Sequence, residues 1–505
     1  MSGKNQTTDA SRRRGFVLVS ILIVVMLISM IAISLMFRLR AEERAAAAGI
    51  GGEQAWAAAM SGVRHAMRVL TSASSPADWE DNPELFKGRF VFDDGAIKWY
   101  FSIYSAPTGF DQLVRYGLVD EAGKLNVNRA TEESLLQLPL VQPEHAHALL
   151  DFIDEDDEPR KEGAEQEYYD TLEKPYAIHN SALITLEELL LVRGFSPALL
   201  YGEDANLNFR LDANEDDGDE RFPPDNANGE LSRGLRSLLT VVSYDLNVDS
   251  DGNERVDIND PAVTLTNEPL PEKLVTFIAA LRRNERSITN VSELLEAKWE
   301  MADEKGKQVE YESGVGKEEL ADVLDRLTHT NATQLSGLIN VNTATEAVLK
   351  TVPGIDDDLA GAIAAARIGS ASGQGDSIAW LYTEDIVDVE KFQEIAPYLT
   401  ARSYQFSFHA IGFGSSGQYR ILEVIVDTAT DTPRIVYLRD LTRSGLPFPL
   451  EIPEGDVTDA DPFVSDVTDG GNFETEMRGG ISFSSDQFFT MPGLRSPSRH
   501  DSSCC

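Results

Sequence analysis

RRRGFVLVSILIVVMLISMIAISLMF, residues 12–37, is the stretch from which the rest of the chain is read. Arg12, Arg13 and Arg14 lead into Gly15, and from Phe16 to Phe37 no residue is charged. About 20 apolar residues are what one helix needs to cross the hydrocarbon core of a bilayer. Ser20, Ser29 and Ser34 do not forbid insertion, because a helical serine can return its hydroxyl to a backbone carbonyl of its own helix. A secretory signal has a shorter apolar core, and its small-residue cleavage site lies beyond that core. Here the small residue, Gly15, comes first. Cleavage after Gly15 removes the basic leader and leaves the membrane helix as the new N-terminus.

Working outward, RLRAEERAAAAGIGGEQAWAAAMSGVRHAMRVL follows Phe37. Alanine and charge dominate it, so the helix is expected to continue to about Leu70 despite Gly49, Gly51 and Gly52. From Phe16 that makes ~80 Å at 1.5 Å per residue. Two alternating runs then flank Asp94-Gly95, a hairpin signal, and a further strand is expected at Leu113–Val119. Near the other end SYQFSFHAIGF, QYRILEVIVDT and PRIVYLRDLT read as three strands. Strand patterns at both ends enclose a mainly helical middle. The expected class is α+β: a long N-terminal helix packed on a small antiparallel sheet, with a large helical domain inserted between its strands. The expected divisions are a leader at 1–15, the transmembrane and spine helix at 16–70, the first part of the sheet at 71–125, the inserted domain at 126–400 and the last strands at 401–445. An acidic tail at 446–505, rich in Asp, Gly and Ser, is expected to be disordered.

The middle repeats itself. GKLNVNRATEESLLQLP at Gly123 recurs as GLINVNTATEAVLKTVP at Gly337, and ITLEELLLVRG at Ile184 is echoed by ITNVSELLEA at Ile288. Thr131 and Thr345 stand where a helix cap or first turn is expected. Repeated helix pairs point to duplicated packing modules. No counterpart is evident for the stretch from about Asp260 to Gln334.

The chain has 84 acidic against 44 basic residues, a formal net charge of −40. Such a balance repels nucleic acid and anionic membrane surfaces and favours divalent cations. In EDANLNFRLDANEDDGDERF, Asp204, Asn206, Asn208, Arg210, Asp212 and Glu215 fall at places 1, 3, 5, 7, 9 and 12 of an EF-hand-like loop. Place 7 uses a backbone carbonyl, so Arg210 does not disqualify it. Place 6 calls for Gly and holds Phe209. A second partial loop offers Asn247, Asp249 and Asp251 before Gly252, with Asp257 and Asp260 downstream. Oxygen-only ligands favour Ca²⁺ over transition metals. The two cysteines, Cys504 and Cys505, are adjacent, where a bridge would be strained, so no disulfide scaffold is expected. No HExxH, GxSxG or P-loop pattern is present, and the chain is read as a non-enzyme.

The Arg12–Phe37 arrangement resembles the leader of type IV pilins and type II secretion pseudopilins. That resemblance implies cleavage by prepilin peptidase between Gly15 and Phe16, methylation of the new amine, and a cytoplasmic N-terminus on a single-pass inner-membrane protein whose bulk is periplasmic. Most such proteins carry Glu where this chain has Ser20. A carboxylate within a bilayer is kept only when it has a partner, and a subunit with nothing above it has none. Between the repeat copies, the Asp-rich turn Asp154–Asp157, Gly163-Ala164-Glu165, Tyr169, Pro175-Tyr176, Asn180 and the Glu188-Leu189 helix ending at Gly194 resemble the general secretion pathway protein K family of minor pseudopilins. The family implies a structural tip subunit of the type II secretion pseudopilus, calcium binding, and the I and J minor pseudopilins and the major pseudopilin as partners. A type IV pilus minor pilin shares the leader but not this signature. INVNTATEAVLKTVPGIDDDLAGAIAAAR also resembles a helix-hairpin-helix of DNA-uptake receptors. Its turn, Gly354-Ile355-Asp356, is followed by Asp357 and Asp358, and only Lys350 and Arg367 could meet phosphate, so no nucleic-acid partner is expected.

Overall fold

One helix, α1 (Ala10–Ser72), carries the apolar run and the spine without a break. The structure, a computed structural model, describes residues 10–451 apart from 74, 107–113, 219, 264, 266–269 and 370–376. Leu18–Glu43 is the helix among the described residues that is long and apolar enough to cross a membrane, and its side chains are not buried. Farther along, Ala55, Ala58, Ala59, Val63 and Ala66 are fully buried. Their spacing of three and four puts them on one face of the helix, and that face lies on a sheet.

The sheet has six strands: β1 (Arg89–Asp93), β2 (Lys98–Tyr104), β3 (Val119–Asp120), β4 (Gln405–Gly414), β5 (Tyr419–Asp427) and β6 (Arg434–Asp440). Its order is β1-β2-β4-β5-β6, with β3 on the end of β4, and every pairing is antiparallel. Period-two alternation divides the strands between two faces. Phe406, Phe408, Ala410, Leu422, Val424 and Val426 meet α1, whereas Ile411, Phe413 and Ile421 belong to a separate cluster on the other face. The alanine face lets the helix come so close that a Cβ at Gly412 would lie 2.0 Å from the carbonyl oxygen of Ala55. No side chain fits there. The α+β class, with an N-terminal helix on an antiparallel sheet whose two parts are separated by a large insertion, is what the molecule shows.

The strand expected at Leu113–Val119 is a correction over Val114–Val119, Leu113 lying outside the described residues. Within it Arg115 makes an isolated bridge to Ser105, and only Val119 joins the sheet, in β3. The intervening backbone pairs elsewhere: Asn82 N–H donates to the Tyr116 carbonyl and Leu118 N–H to that of Trp79. A turn from the preceding segment has taken the hydrogen-bonding edge that a longer strand would offer.

The inserted region is built three times over. Leu125–Asn126 pairs in parallel with Leu239–Thr240, Val256–Asp257 with Leu327–Thr328, and Ile339–Asn340 with Leu399–Thr400. Each pair ties the start of a module to its end, and each opening residue caps the turn that follows. Asn126, Asp257 and Asn340 accept, through a side-chain oxygen, the N–H of Asn128, Asn259 and Asn342 at 3.1, 2.9 and 2.8 Å. The stretch without an evident counterpart is thus the middle module. Its sequence signal is short: LNVN, VDIN and INVN open the three modules, and Leu-Thr closes each.

In the first two modules the asparagine that ends the opening motif, Asn128 and Asn259, clamps a distant segment. Asn128 binds the backbone of Leu183 through both amide atoms, at 2.9 and 2.7 Å. Asn259 does the same to Ile288, at 2.9 and 3.1 Å, and also donates to the His329 carbonyl. Ile288 is buried, so Asn259→Ala leaves backbone groups without partners. A loss of about 2 kcal/mol in stability is expected. Denaturant unfolding of the variant checks it, and a loss within ~0.5 kcal/mol, the range of ordinary surface changes, contradicts the clamp.

Candidate functional site

The acidic loop at Asp204–Glu215 folds back on its own carboxylates. Asp204 accepts the backbone N–H groups of Asn208 and Phe209, at 2.9 and 3.3 Å. Asn206 and Asn208 both turn their amide nitrogens to Asp212 Oδ2 at 2.9 Å. Asp212 N–H donates to Glu215 Oε2 at 3.0 Å. The five expected ligands therefore form one connected group. Asp204 and Glu215 are each 1% exposed, and Glu215 Oε1 has no hydrogen-bond partner. Burial pushes Asp204 up to about 6 and Glu215 up to about 7.

The place that calls for Gly is met another way. Phe209 takes the left-handed conformation, with φ of 61°. A non-glycine residue pays about 1–2 kcal/mol for this. The ring compensates by packing edge-on against His409 and Tyr104 of the sheet, with centroids 4.8 and 6.2 Å away. The loop is thereby anchored to the face of the sheet opposite α1.

The second expected set, Asn247, Asp249 and Asp251, is not brought together. Asn247 is buried and its amide donates to the carbonyls of Thr330 and Ala332. Asp249 accepts from the backbone of Asp251 and Asn253, which holds its carboxyl below the usual range although burial acts the other way. Asp251 is exposed. Downstream, Asp257 and Asp260 cap the backbone N–H groups of Asn259 and Ala262. The carboxylates here are satisfied by backbone donors of their own turns, whereas Asn247 Oδ1 is buried without a hydrogen-bond partner.

A different cluster is better built. Ligand atoms of Asp154, Asp156 and Glu165 lie within 4.8 Å of one another. Glu165 is 4% exposed, and neither of its carboxylate oxygens has a hydrogen-bond partner. Asp154 Oδ1 and Asn180 Oδ1 also lack partners. The amide nitrogen of Asn180 holds the same turn, donating to the Asp156 carbonyl and to Asp157 Oδ1. Burial, and then the charges of Asp151 and Asp154, push Glu165 up to about 7. Asp151, fully buried, ties the turn together through Arg160, 2.6 Å away. A Cβ at Gly163 would lie 1.8 Å from Asp151 Oδ2, which accounts for glycine two residues before Glu165. Three acids with ligand atoms in reach of one another, two of them carrying oxygens without donors, make a donor set of the kind a hard divalent cation takes. These residues stand out in the sequence as a signature, and a carboxylate at Glu165 following Asp154 and Asp156 is the signal that could have marked them as ligands.

In the hairpin after the third module's opening, Lys350 pairs with Asp357 and Arg367 donates to the Ala344 carbonyl. Both cations that could meet phosphate are engaged within the chain. Gly15 and Phe16 lie in the backbone of α1.

Residues 118–201 match the family model of the type II secretion system protein K. The matched segment spans the first module's opening and the whole Asp154–Glu165–Asn180 cluster, and ends before Asp204. No curated protein matches the sequence. The chain is also similar to a solved structure, the GspK-GspI-GspJ complex from the type 2 secretion system of enterotoxigenic Escherichia coli, at 13% identity, covering 80% of this chain and 99% of that chain with a TM-score of 0.39. The match to the protein K family model thus covers the stretch that holds the Asp154–Gly194 signature.

Proposed function

We propose that this chain is a minor pseudopilin seated at the tip of the type II secretion pseudopilus, where it supports protein export across the outer membrane. The observation that carries the proposal is the joining of three parts in one chain. An anchor helix runs without a break into the helix that packs on the sheet, and the protein K segment begins the insertion between β3 and β4. Such an insertion is too bulky to repeat along a packed shaft. Ser20, in place of an acid, removes the group that would pair with a subunit above. In this reading the chain is a single-pass inner-membrane protein with its N-terminus cytoplasmic and its bulk periplasmic, which the positive residues before the span support. The I and J minor pseudopilins, and the major pseudopilin below them, are the partners in this reading.

Calcium belongs to the same proposal. Its first site is Asp154, Asp156 and Glu165 with the Asn180 carbonyl, and its second is Asp204–Glu215. Unpartnered oxygens at Glu165, Asp154, Asn180 and Glu215 support it. Bound there, calcium supplies positive charge that the buried carboxylates lack, and the protein's residues hold the turn in place.

Prepilin processing is checked by N-terminal mass analysis of protein extracted from membranes. The expected chain begins at Phe16 with a methylated amine. An intact leader in cells with active prepilin peptidase rules out the pseudopilin reading, as does failure of the mature chain to co-purify with the I and J minor pseudopilins.

A further inference from the structure

The Asp204–Glu215 loop has two sides. Its acid side is closed in: Glu215 is 1% exposed, and its Oε1 is buried without a hydrogen-bond partner. Its apolar side lies on another part of the chain. Leu207 and Phe209 pack on the cluster of Tyr104, Ile411 and Phe413, on the sheet face opposite α1. The loop is part of the first module, whereas Tyr104 ends β2 and His409 lies in β4. The contact therefore crosses the seam between the inserted region and the sheet.

The same few residues serve both sides. Asn208 N–H donates to Asp204 Oδ1 at 2.9 Å, and Phe209 N–H to Asp204 Oδ2 at 3.3 Å. Leu207 and Phe209, on either side of Asn208, each hold a left-handed backbone with φ of 61°. Large side chains are uncommon in that region, so local preference does not select this corner. The sheet supplies what selects it. The Phe209 ring stands edge-on to His409, and His409 in turn stacks on Tyr104 at 5.3 Å.

We infer that Phe209 is a positioning residue that couples the loop to the sheet, so that calcium in the loop and seating of the first module on β4 favour each other. The inference rests on the calcium reading of Asp204–Glu215. The corner that gathers the loop's oxygens is the one that places the ring on His409. Coupling of this kind is reciprocal: whatever factor the seat adds to calcium affinity, calcium adds to the seat. The consequence runs against the loop pattern. Place 6 calls for Gly, so Phe209→Gly repairs the motif. A loop whose corner was set by its own backbone would then bind calcium at least as tightly. A loop held by the sheet binds more weakly, because glycine has no ring to seat and more backbone freedom to lose.

The test uses the full chain in detergent, stripped with chelator and titrated with calcium. Hydrogen exchange at Asn208–Asp212 gives the loop's calcium midpoint. The rate at which diethyl pyrocarbonate modifies His409, read by mass spectrometry, reports the seat. His409 suits this, because it is 8% exposed beneath Phe209 and its Nε2 has no hydrogen-bond partner. His329, at the end of the middle module, is the internal reference. Calcium is expected to slow His409 modification at least about fivefold, the lower end of ordinary coupling between sites. The midpoint should match the loop's, with His329 unchanged. In Phe209→Gly the loop's midpoint is expected to rise at least about fivefold, and the His409 rate to stop responding. Glu215→Gln is expected to remove both responses. Equal or tighter calcium binding by Phe209→Gly overturns the inference. So does a His409 response that survives Glu215→Gln, or one that His329 shares. If Phe209→Gly disturbs the fold, the wild-type chain decides: a loop that responds to calcium while His409 does not overturns the coupling alone. A loop that does not respond overturns the calcium reading there and the coupling with it.

Discussion

Arg236→Ala is expected to destabilise the folded chain by about 3–5 kcal/mol, the cost of leaving a buried carboxylate without its partner. Arg236 reaches Glu187 of the first module at 2.8 Å and pairs with Glu423 of β5, so one guanidinium joins the inserted region to the sheet. Glu187 is shared with Arg439 of β6, also at 2.8 Å. Burial alone raises the Glu423 carboxyl, and Arg236 more than offsets that, holding it below its usual range. His409 and Arg439 act on Glu423 in the same direction, although burial lowers His409 itself to about 4. In the native chain the Glu423 contribution is present above the unfolded carboxyl range and is lost as pH falls through the folded value. In the variant the sign reverses. Glu423 is then raised by burial, binds a proton more tightly than the unfolded chain does, and costs stability as pH rises above about 4.5. The gap between the two proteins is therefore expected to widen from pH 5 to pH 8. Denaturant titrations at those two pH values measure it. A loss under ~1 kcal/mol, or a gap independent of pH, contradicts the role given to Arg236.

Calcium is expected to raise the melting temperature of the chain, by roughly 2.7 kcal/mol of stabilisation per site at a hundredfold excess over Kd. Glu165→Gln is expected to remove the part due to the Asp154–Glu165 cluster, and Glu215→Gln the part due to the Asp204–Glu215 loop. Asp249→Asn is expected to leave the full response, because that carboxylate is satisfied by backbone donors. Magnesium is expected to do less, since it demands a tighter shell and sheds water reluctantly. The pH dependence has a definite sign. Glu165 and Glu215 sit at about 7 and Asp204 at about 6, all raised by burial. Without calcium these groups cost stability as pH rises from about 4 to about 7, because the unfolded chain releases their protons first. Calcium needs the ionised forms, so its stabilisation is expected to be larger at pH 7.5 than at pH 5.5. Scanning calorimetry of the wild type and the three variants at both pH values is the measurement. A calcium response that survives Glu165→Gln and Glu215→Gln together places the cation elsewhere, and no response at all removes calcium from the account.

Much of the architecture was legible in the order of residues. A run of 22 uncharged residues from Phe16 to Phe37 can only be solvated by lipid or by other apolar surface, and the alanine-rich continuation has a strong helix preference. Alternation at both ends of the chain marked β1, β2, β4, β5 and β6, because a strand with one buried face writes a period of two into its own sequence. The Asp154–Asn180 signature was likewise readable, as a pattern without a chemistry. The chain by itself thus determined the helix, the main strands, the insertion between them and the protein K resemblance, since each rests on periodicity or spacing within a few dozen residues. The tertiary structure alone decided the rest. It brought Glu165 to Asp154 and Asp156 and Asn180 to the same turn at Asp156 and Asp157, and it set Asn247 on Thr330 and Ala332. It set the ring of Phe209 against His409, so that a residue unsuited to a left-handed turn could hold one. It paired Val256–Asp257 with Leu327–Thr328 and so revealed the middle module. It gave the edge of the Leu113–Val119 segment to Trp79 and Asn82 in place of a longer strand. Each of these depends on which distant group arrives to satisfy a buried donor, acceptor or apolar face, and local pattern carries no record of that arrival.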